Sequence, residues 1–241
     1  MTRFPLRAAA FAALAFTVSA VCADEAAIRK AVAERLPDLP PIDEVTKTPI
    51  PGLYELRLGT DLLYSDEGGN HVIQGSMLDT RSRTNLTEAR IAKLTAIDFA
   101  SLPLKDAIVW KQGSGARRMV VFADPNCGYC KKFERDLQQV KNVTVYTFLF
   151  PILGGDSPEK AKNIWCAKDA TTVWRNWMIE GAVPPRSMGA CETPMLRNRA
   201  LGKKHKITGT PAIVFEDGTR IPGAVGAEQI EKQLAMSRPK A

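Results

Sequence analysis

The sequence predicts an α+β protein: a small N-terminal module, a linker helix, and a larger domain with a helical insertion. Three observations carry this. An amphipathic helix and four short strand-like runs, ending near residue 74, close a module of roughly 60 residues. A capped helical pattern begins at Asn85. From Met119 onward the order is strand, helix, strand, helical insertion, strand, strand, helix.

The 241-residue chain opens with Arg3 and Arg7 around the start of an uncharged, largely apolar stretch from Ala8 to Val21, and Val21-Cys22-Ala23 then leads into Asp24. Basic, apolar and small-residue zones in that order are the layout of a secretory signal, expected over residues 1–23. The apolar stretch is short for a membrane span, which needs ~20 residues. Cys22 offers a lipoprotein alternative, but Val21 fits such a site poorly, so Cys22 is assigned to the signal. The full chain has 45% apolar and 24% charged residues, an ordinary globular composition. With no low-complexity tract and no later long apolar run, a disordered chain, a fibre and a multi-span membrane protein are excluded. Losing Arg3 and Arg7 lowers the formal charge from +7 to +5. The densest basic cluster, Lys203-Lys204-His205-Lys206, is short and lacks interleaved aromatics. It reads as a solvated surface, and no nucleic-acid partner is expected.

In the first module, Asp24 is placed to cap a helix in which Ile28, Val32 and Leu36 recur at four-residue spacing before Pro37. Strands are expected at Ile42–Lys47, Leu53–Leu58, Asp61–Tyr64 and His71–Gln74, with a turn at Asp66-Glu67-Gly68-Gly69-Asn70. The module spans 24–84 and is near the size where burial barely offsets chain entropy, so docking to a second copy would help it. Asn85-Leu86-Thr87-Glu88 then has a cap residue with an acid three positions on. Ile91, Leu94 and Ile97 continue one face to Leu102-Pro103, giving a linker helix over 85–103; the other reading packs it onto one of the units.

The domain at 104–241 starts from the buried-strand run Met119–Ala123. Asp124-Pro125-Asn126 turns, and Cys127 to Cys130 opens a helix with Phe133, Leu137 and Val140 on one face. Val143 to Phe150 is the next strand. Ser157-Pro158 and Thr193-Pro194 read as caps followed by proline at the first helical position, with helical stretches ending at Gly181 and Gly202. Ile213–Phe215, a turn at Asp217-Gly218, Thr219–Ile221 and a helix over Ala227–Met236 complete the order. That order, with C-x-x-C at a helix start, resembles a thioredoxin-like fold with an inserted helical subdomain.

Beyond Cys22, the cysteines are Cys127, Cys130, Cys166 and Cys191. An exported chain meets oxidising conditions, where thiols pair or are kept for redox work. Cys127-Gly128-Tyr129-Cys130 has two competing readings, a zinc knuckle and a short structural disulfide. Zinc would need a second knuckle, and His71 and His205 stand far apart in unlike contexts; no metal and no cofactor are expected. Redox chemistry fits better. Cys127 stands at a helix N-terminus, where free amides and the dipole favour an anion, so it is the attacking thiolate. Cys130, one turn inward, resolves the mixed disulfide. Gly128 and Tyr129 tune the potential; Lys131 and Lys132 either add positive field or are simply solvated. Cys166 and Cys191 lie in the helical insertion and are read as a structural bridge worth about 3–4 kcal/mol, the alternative being a second redox relay. Trp165 is read as core.

Phe122 to Cys130 (Phe-Ala-Asp-Pro-Asn-Cys-Gly-Tyr-Cys), Ile164 to Asp169 (Ile-Trp-Cys-Ala-Lys-Asp), Gly209-Thr210-Pro211-Ala212 and His71-Val72-Ile73-Gln74-Gly75 together resemble the periplasmic disulfide isomerases of the DsbC/DsbG family, over essentially the whole mature chain. The resemblance implies a periplasmic V-shaped homodimer joined through the N-terminal modules, with an apolar cleft for misfolded exported proteins and chaperone activity. It implies that Cys127 attacks wrong disulfides, that Thr210 and a cis Pro211 present backbone to an extended client, and that the inner-membrane transporter DsbD keeps the pair reduced. Gly128, where DsbG proteins typically carry proline, and the Cys166–Cys191 pair favour the DsbC side. The alternatives are a DsbG-like reductase of sulfenylated cysteines and a dimeric holdase.

Overall fold

The structure, a computed structural model, describes residues 19–237, with side chains from residue 25 onward; the signal expected over 1–23 falls mostly outside the described residues. The chain divides into two compact units, one up to residue 91 and one from residue 92.

In the first unit, α1 (Ser19–Arg35) runs through Asp24, which therefore lies inside the helix and does not start it. Ile28 and Val32 are buried against Tyr54, Leu56 and Leu58, whereas Leu36, one residue past the helix, is 42% exposed. The sheet β1 (Glu44–Lys47), β2 (Leu53–Leu58), β3 (Asp61–Asp66) and β4 (Val72–Ile73) is antiparallel in chain order. The inward residues of β2 alternate with outward ones, as the pleat requires. Between β3 and β4, Asp66 Oδ1 accepts from the Asn70 amide at 2.7 Å, and Gly69 turns with φ +64° against Ala31, where a Cβ would come within 2.9 Å. A two-residue hairpin, β5 (Leu78–Asp79) with β6 (Thr84–Asn85), is too short to show a sequence period.

Asn85 Oδ1 accepts from the Glu88 amide at 3.0 Å and starts α2. That helix covers Leu86–Leu94, not 85–103. Arg90 ties it to Glu44 at 2.8 Å and Glu55 at 3.1 Å within the first unit. Beyond it the chain is held in the second unit: the Ile97 amide donates to the Gly218 carbonyl at 3.0 Å, and Ile97, Phe99 and Leu102 are buried there.

The second unit contains β7 (Ile108–Gln112), β8 (Arg117–Ala123), α3 (Gly128–Leu137), β9 (Val143–Leu149), α4 (Ser157–Trp165), α5 (Ala170–Arg175) continued by a π turn at Asn176–Glu180, α6 (Met195–Lys204), β10 (Ala212–Phe215), β11 (Arg220–Pro222) and α7 (Ala227–Met236). Its sheet order is β11-β10-β8-β9-β7, with β8 and β9 parallel and the other pairs antiparallel. Buried on both faces, β8 sends Met119 and Val121 into one apolar cluster and Val120 and Phe122 into the other. The first cluster takes Phe133 and Leu137 of α3 and Ile230 and Leu234 of α7.

Two helix starts and one helix end differ from the sequence reading. Ser157 is the first helical residue, not the cap, and its hydroxyl donates to Asp124 Oδ1 at 2.6 Å. Pro194, not Thr193, occupies the cap of α6. Gly202 lies inside α6 and does not end it; a Cβ there would sit 2.4 Å from the Phe150 ring, so close packing and not a turn calls for the glycine. Gly202→Ala is expected to cost about 1–3 kcal/mol through overpacking, read as a lower urea midpoint; an unchanged midpoint would show that the ring moves freely.

Candidate active site

The end of β8 delivers the chain into Asp124-Pro125-Asn126, and this turn is clamped from several sides. Asp124 is fully buried and accepts from the Asn126 amide at 2.8 Å, the Ile152 amide at 2.7 Å, the Leu153 amide at 2.9 Å and the Ser157 hydroxyl. Trp177 Nε1 donates to the Pro125 carbonyl at 2.6 Å. Asn126 donates to Asp156 at 2.7 Å and accepts from Lys160 Nζ at 2.9 Å. Asp124 and Trp177 are positioning residues that sequence reasoning missed. Asp124 was visible only as a turn former, and Trp177 carried no local signal.

This turn sets Cys127 at the N-cap of α3. Its φ of −74° and ψ of 115° are those of a cap residue, and its Sγ accepts from the Cys130 amide at 3.2 Å, the place a Ser or Asp oxygen usually takes. Cys127 and Cys130 are free thiols. The Cys127 thiol is pushed down from 9.0 to about 6, mainly by the hydrogen bond from the Cys130 side chain, with help from the Thr210 side chain and the Cys130 and Tyr129 amides, against the opposing effect of burial. Burial pushes the Cys130 thiol far up, and its neighbour's negative charge adds to that. The two sulfurs are thus split into one anion and one neutral donor.

The lysines of the helix do not carry this shift. Lys131 Nζ lies 3.8 Å from the centroid of the Trp177 ring, and Lys132 pairs with Asp136 at 2.7 Å. Cys127 keeps 5% of its surface and Cys130 1%, so the attacking sulfur is the more open but is not freely exposed. Around it, Gly128 is exposed with open space where a Cβ would be, and Tyr129 is 71% exposed. Gly128 is therefore not demanded by packing.

Thr210-Pro211 comes from the loop before β10. The peptide between them is cis, Pro211 is buried, and the Cys127 sulfur lies 3.3 Å from the Thr210 carbonyl, to which its protonated form donates. The structure thus brings Thr210 to Cys127 across 83 residues of chain. One turn beyond Cys130, Glu134 is 2% exposed and accepts from Trp174 Nε1 at 2.7 Å, while burial pushes its carboxyl up to about 7. It is a buried acid that no sequence pattern marked.

Cys166 and Cys191 lie apart from this pair as a disulfide, with an S–S distance of 2.04 Å and Cα atoms 6.0 Å apart. Trp165 is half-buried, and its Nε1 donates to the Glu192 carbonyl at 3.1 Å beside the bridge. Replacing both cysteines by serine is expected to cost about 3–4 kcal/mol, seen in urea unfolding, with thiol exchange at Cys127 unchanged. Loss of exchange with stability intact would instead mark the bridge as a redox relay.

The chain matches two family models: the disulfide bond isomerase protein N-terminal domain over residues 19–88, and the thioredoxin-like domain over residues 104–237. It is 44% identical over 193 residues to the probable thiol:disulfide interchange protein DsbC of Bordetella pertussis, covering 80% of this chain and 68% of that one. It is 31% identical over 222 residues to the thiol:disulfide interchange protein DsbC of Escherichia coli, covering 88% of each. Among solved structures, a disulfide interchange protein from Neisseria gonorrhoeae aligns with a TM-score of 0.55 and 32% identity, covering 58% of this chain and all of that one. With both its domains matched in order and its relatives aligned over most of their length, this chain belongs to the DsbC family.

Proposed function

We propose that this protein is a thiol–disulfide isomerase that reshuffles incorrect disulfides in exported proteins. The observation that carries the reading is the split pair: a Cys127 sulfur held at about 6, and so ionised at neutral pH, beside a neutral Cys130 and the Thr210 carbonyl 3.3 Å away. The Cys127 thiolate attacks one sulfur of a client disulfide; that S–S bond breaks, and the other client sulfur leaves as a thiolate. A client thiolate then attacks either another client disulfide or the mixed disulfide, and the reshuffled client departs with no net electron transfer.

When the client stalls, Cys130 loses its proton and attacks the Cys127 sulfur. The client leaves with a thiol and the pair is left oxidised. Two electrons must then return, and the inner-membrane transporter DsbD is the proposed donor. The Thr210 backbone suits clients without a fixed sequence, since an extended strand pairs through main-chain groups. Gly128 and Tyr129 tune the pair. Cys166–Cys191 serves as a structural bridge.

We place the protein in the periplasm as a homodimer, joined through the residue 24–84 unit, with chaperone activity toward misfolded clients. Ile73 and Leu78, 53% and 63% exposed in that unit, support an apolar contact there. The test is recovery of activity by a scrambled multi-disulfide enzyme. Many turnovers per reduced protein support isomerisation; suppressed aggregation without turnover would mean a holdase. Trapping clients on Cys130→Ala and finding only single-cysteine proteins would mean sulfenic-acid reduction.

A further inference from the structure

The basic cluster around Lys203 is used neither by the core nor by the thiol chemistry, yet it borders the active site. Helix α6 presents Leu196, Arg199, Ala200 and Lys203 at spacing i, i+3, i+4, i+7, hence on one face. That face lines an open groove of about 690 Å³ together with Ile152 and Lys206, and the buried Phe150 and Ile207 form its floor. Leu196 is 81% exposed at its edge. Ile207 and Thr208 also line a smaller hollow of about 190 Å³ that reaches Thr210, Pro211 and Arg220. The two hollows share these residues and so adjoin, and their linings form a track from Thr210, whose carbonyl lies 3.3 Å from Cys127 Sγ, to the apolar face of α6.

The charge along this track has one sign. No carboxylate lines either hollow. Arg199, Lys203 and Lys206 have no ion-pair partner among the described residues. Among the described residues, Arg220 donates to the His205 carbonyl at 2.7 Å and the Lys206 carbonyl at 3.2 Å and to no carboxylate. Burial holds the His205 imidazole below its usual range, and the positive charges of Lys204 and Arg220 add to this.

We propose that this track seats the client segment flanking the attacked cysteine and selects extended segments that carry an apolar residue and a carboxylate. The proposal rests on the disulfide-exchange reading and names the substrate class of that site. The apolar side chain covers Phe150 and Leu196, and the carboxylate meets cations that lack a partner.

The test uses peptides whose single cysteine is disulfide-linked to a small neutral thiol, with Leu-Glu, Leu-Gln or Ser-Gln placed on its N-terminal or C-terminal side. On one of the two sides, Leu-Glu is expected to lower KM by about three- to tenfold relative to Leu-Gln with kcat unchanged, and the difference fades at about 0.5 M salt. Arg199→Glu with Lys203→Glu removes the difference and leaves kcat for the Ser-Gln peptide at the wild-type value. Equal KM values on both sides, or a preference that survives charge reversal, overturns the proposal. So does a change of sedimentation mass in the double variant, which would make this face a contact between copies. Absence of exchange with every peptide would sink the exchange reading itself, and this inference with it.

Discussion

Cys127→Ser is expected to abolish disulfide reshuffling, with a rate at least about 10³-fold below wild type, because a hydroxyl does not ionise near neutral pH and does not attack sulfur. The fold should be untouched, since a serine oxygen accepts from the Cys130 amide as the sulfur does at 3.2 Å. Cys130→Ser should behave differently. It still forms the mixed disulfide through Cys127 but cannot release a stalled client, so covalent complexes accumulate on non-reducing gels. Equal residual activity in the two variants would contradict the division of labour that their opposite pKa shifts imply.

Asp124→Ala is the second large effect. The substitution leaves the Asn126, Ile152 and Leu153 amides and the Ser157 hydroxyl without their acceptor in a site with no solvent exposure. Stranding buried donors is expected to lower stability by about 3–5 kcal/mol, measurable as a shift of the urea midpoint. Exchange should fall as well, because the same carboxylate holds the turn that aims Cys127. Asp124→Asn keeps an acceptor oxygen and should recover part of both losses. A variant that loses exchange at wild-type stability would place Asp124 in the chemistry rather than in the positioning of the turn.

What could be read from the residues differs sharply from what could not. Cys127 at a helix start, the strand Leu53–Leu58 and the helix Ala227–Met236 are local signals, and the structure has them at those positions. Strand β7 carries no clear sequence signal because Val109 stands on its solvent side, 42% exposed, and blurs the alternation of Ile108 and Trp110. The linker helix is shorter than its sequence spacing suggests for the opposite reason. Ile91, Leu94 and Ile97 keep helical spacing, but Ile97 is buried in the core of the second unit through a backbone bond to Gly218. Asp124 reaches partners 28 to 33 residues away, and Trp177 reaches Pro125 across 52. Spacing along the chain holds no trace of contacts that only the closed fold creates.

The measurement that bears most directly on this account is the pH dependence of Cys127 alkylation in the reduced protein, mapped by peptide mass. The rate should rise with pH as the thiolate forms, reach half its plateau near pH 6 and flatten above neutrality. Cys130→Ala, which removes the hydrogen bond that lowers the Cys127 value most, should move that midpoint upward, and Cys130→Ser should move it less. A midpoint at the ordinary 9.0, unmoved by either substitution, would contradict the claim that this sulfur is held ready as an anion.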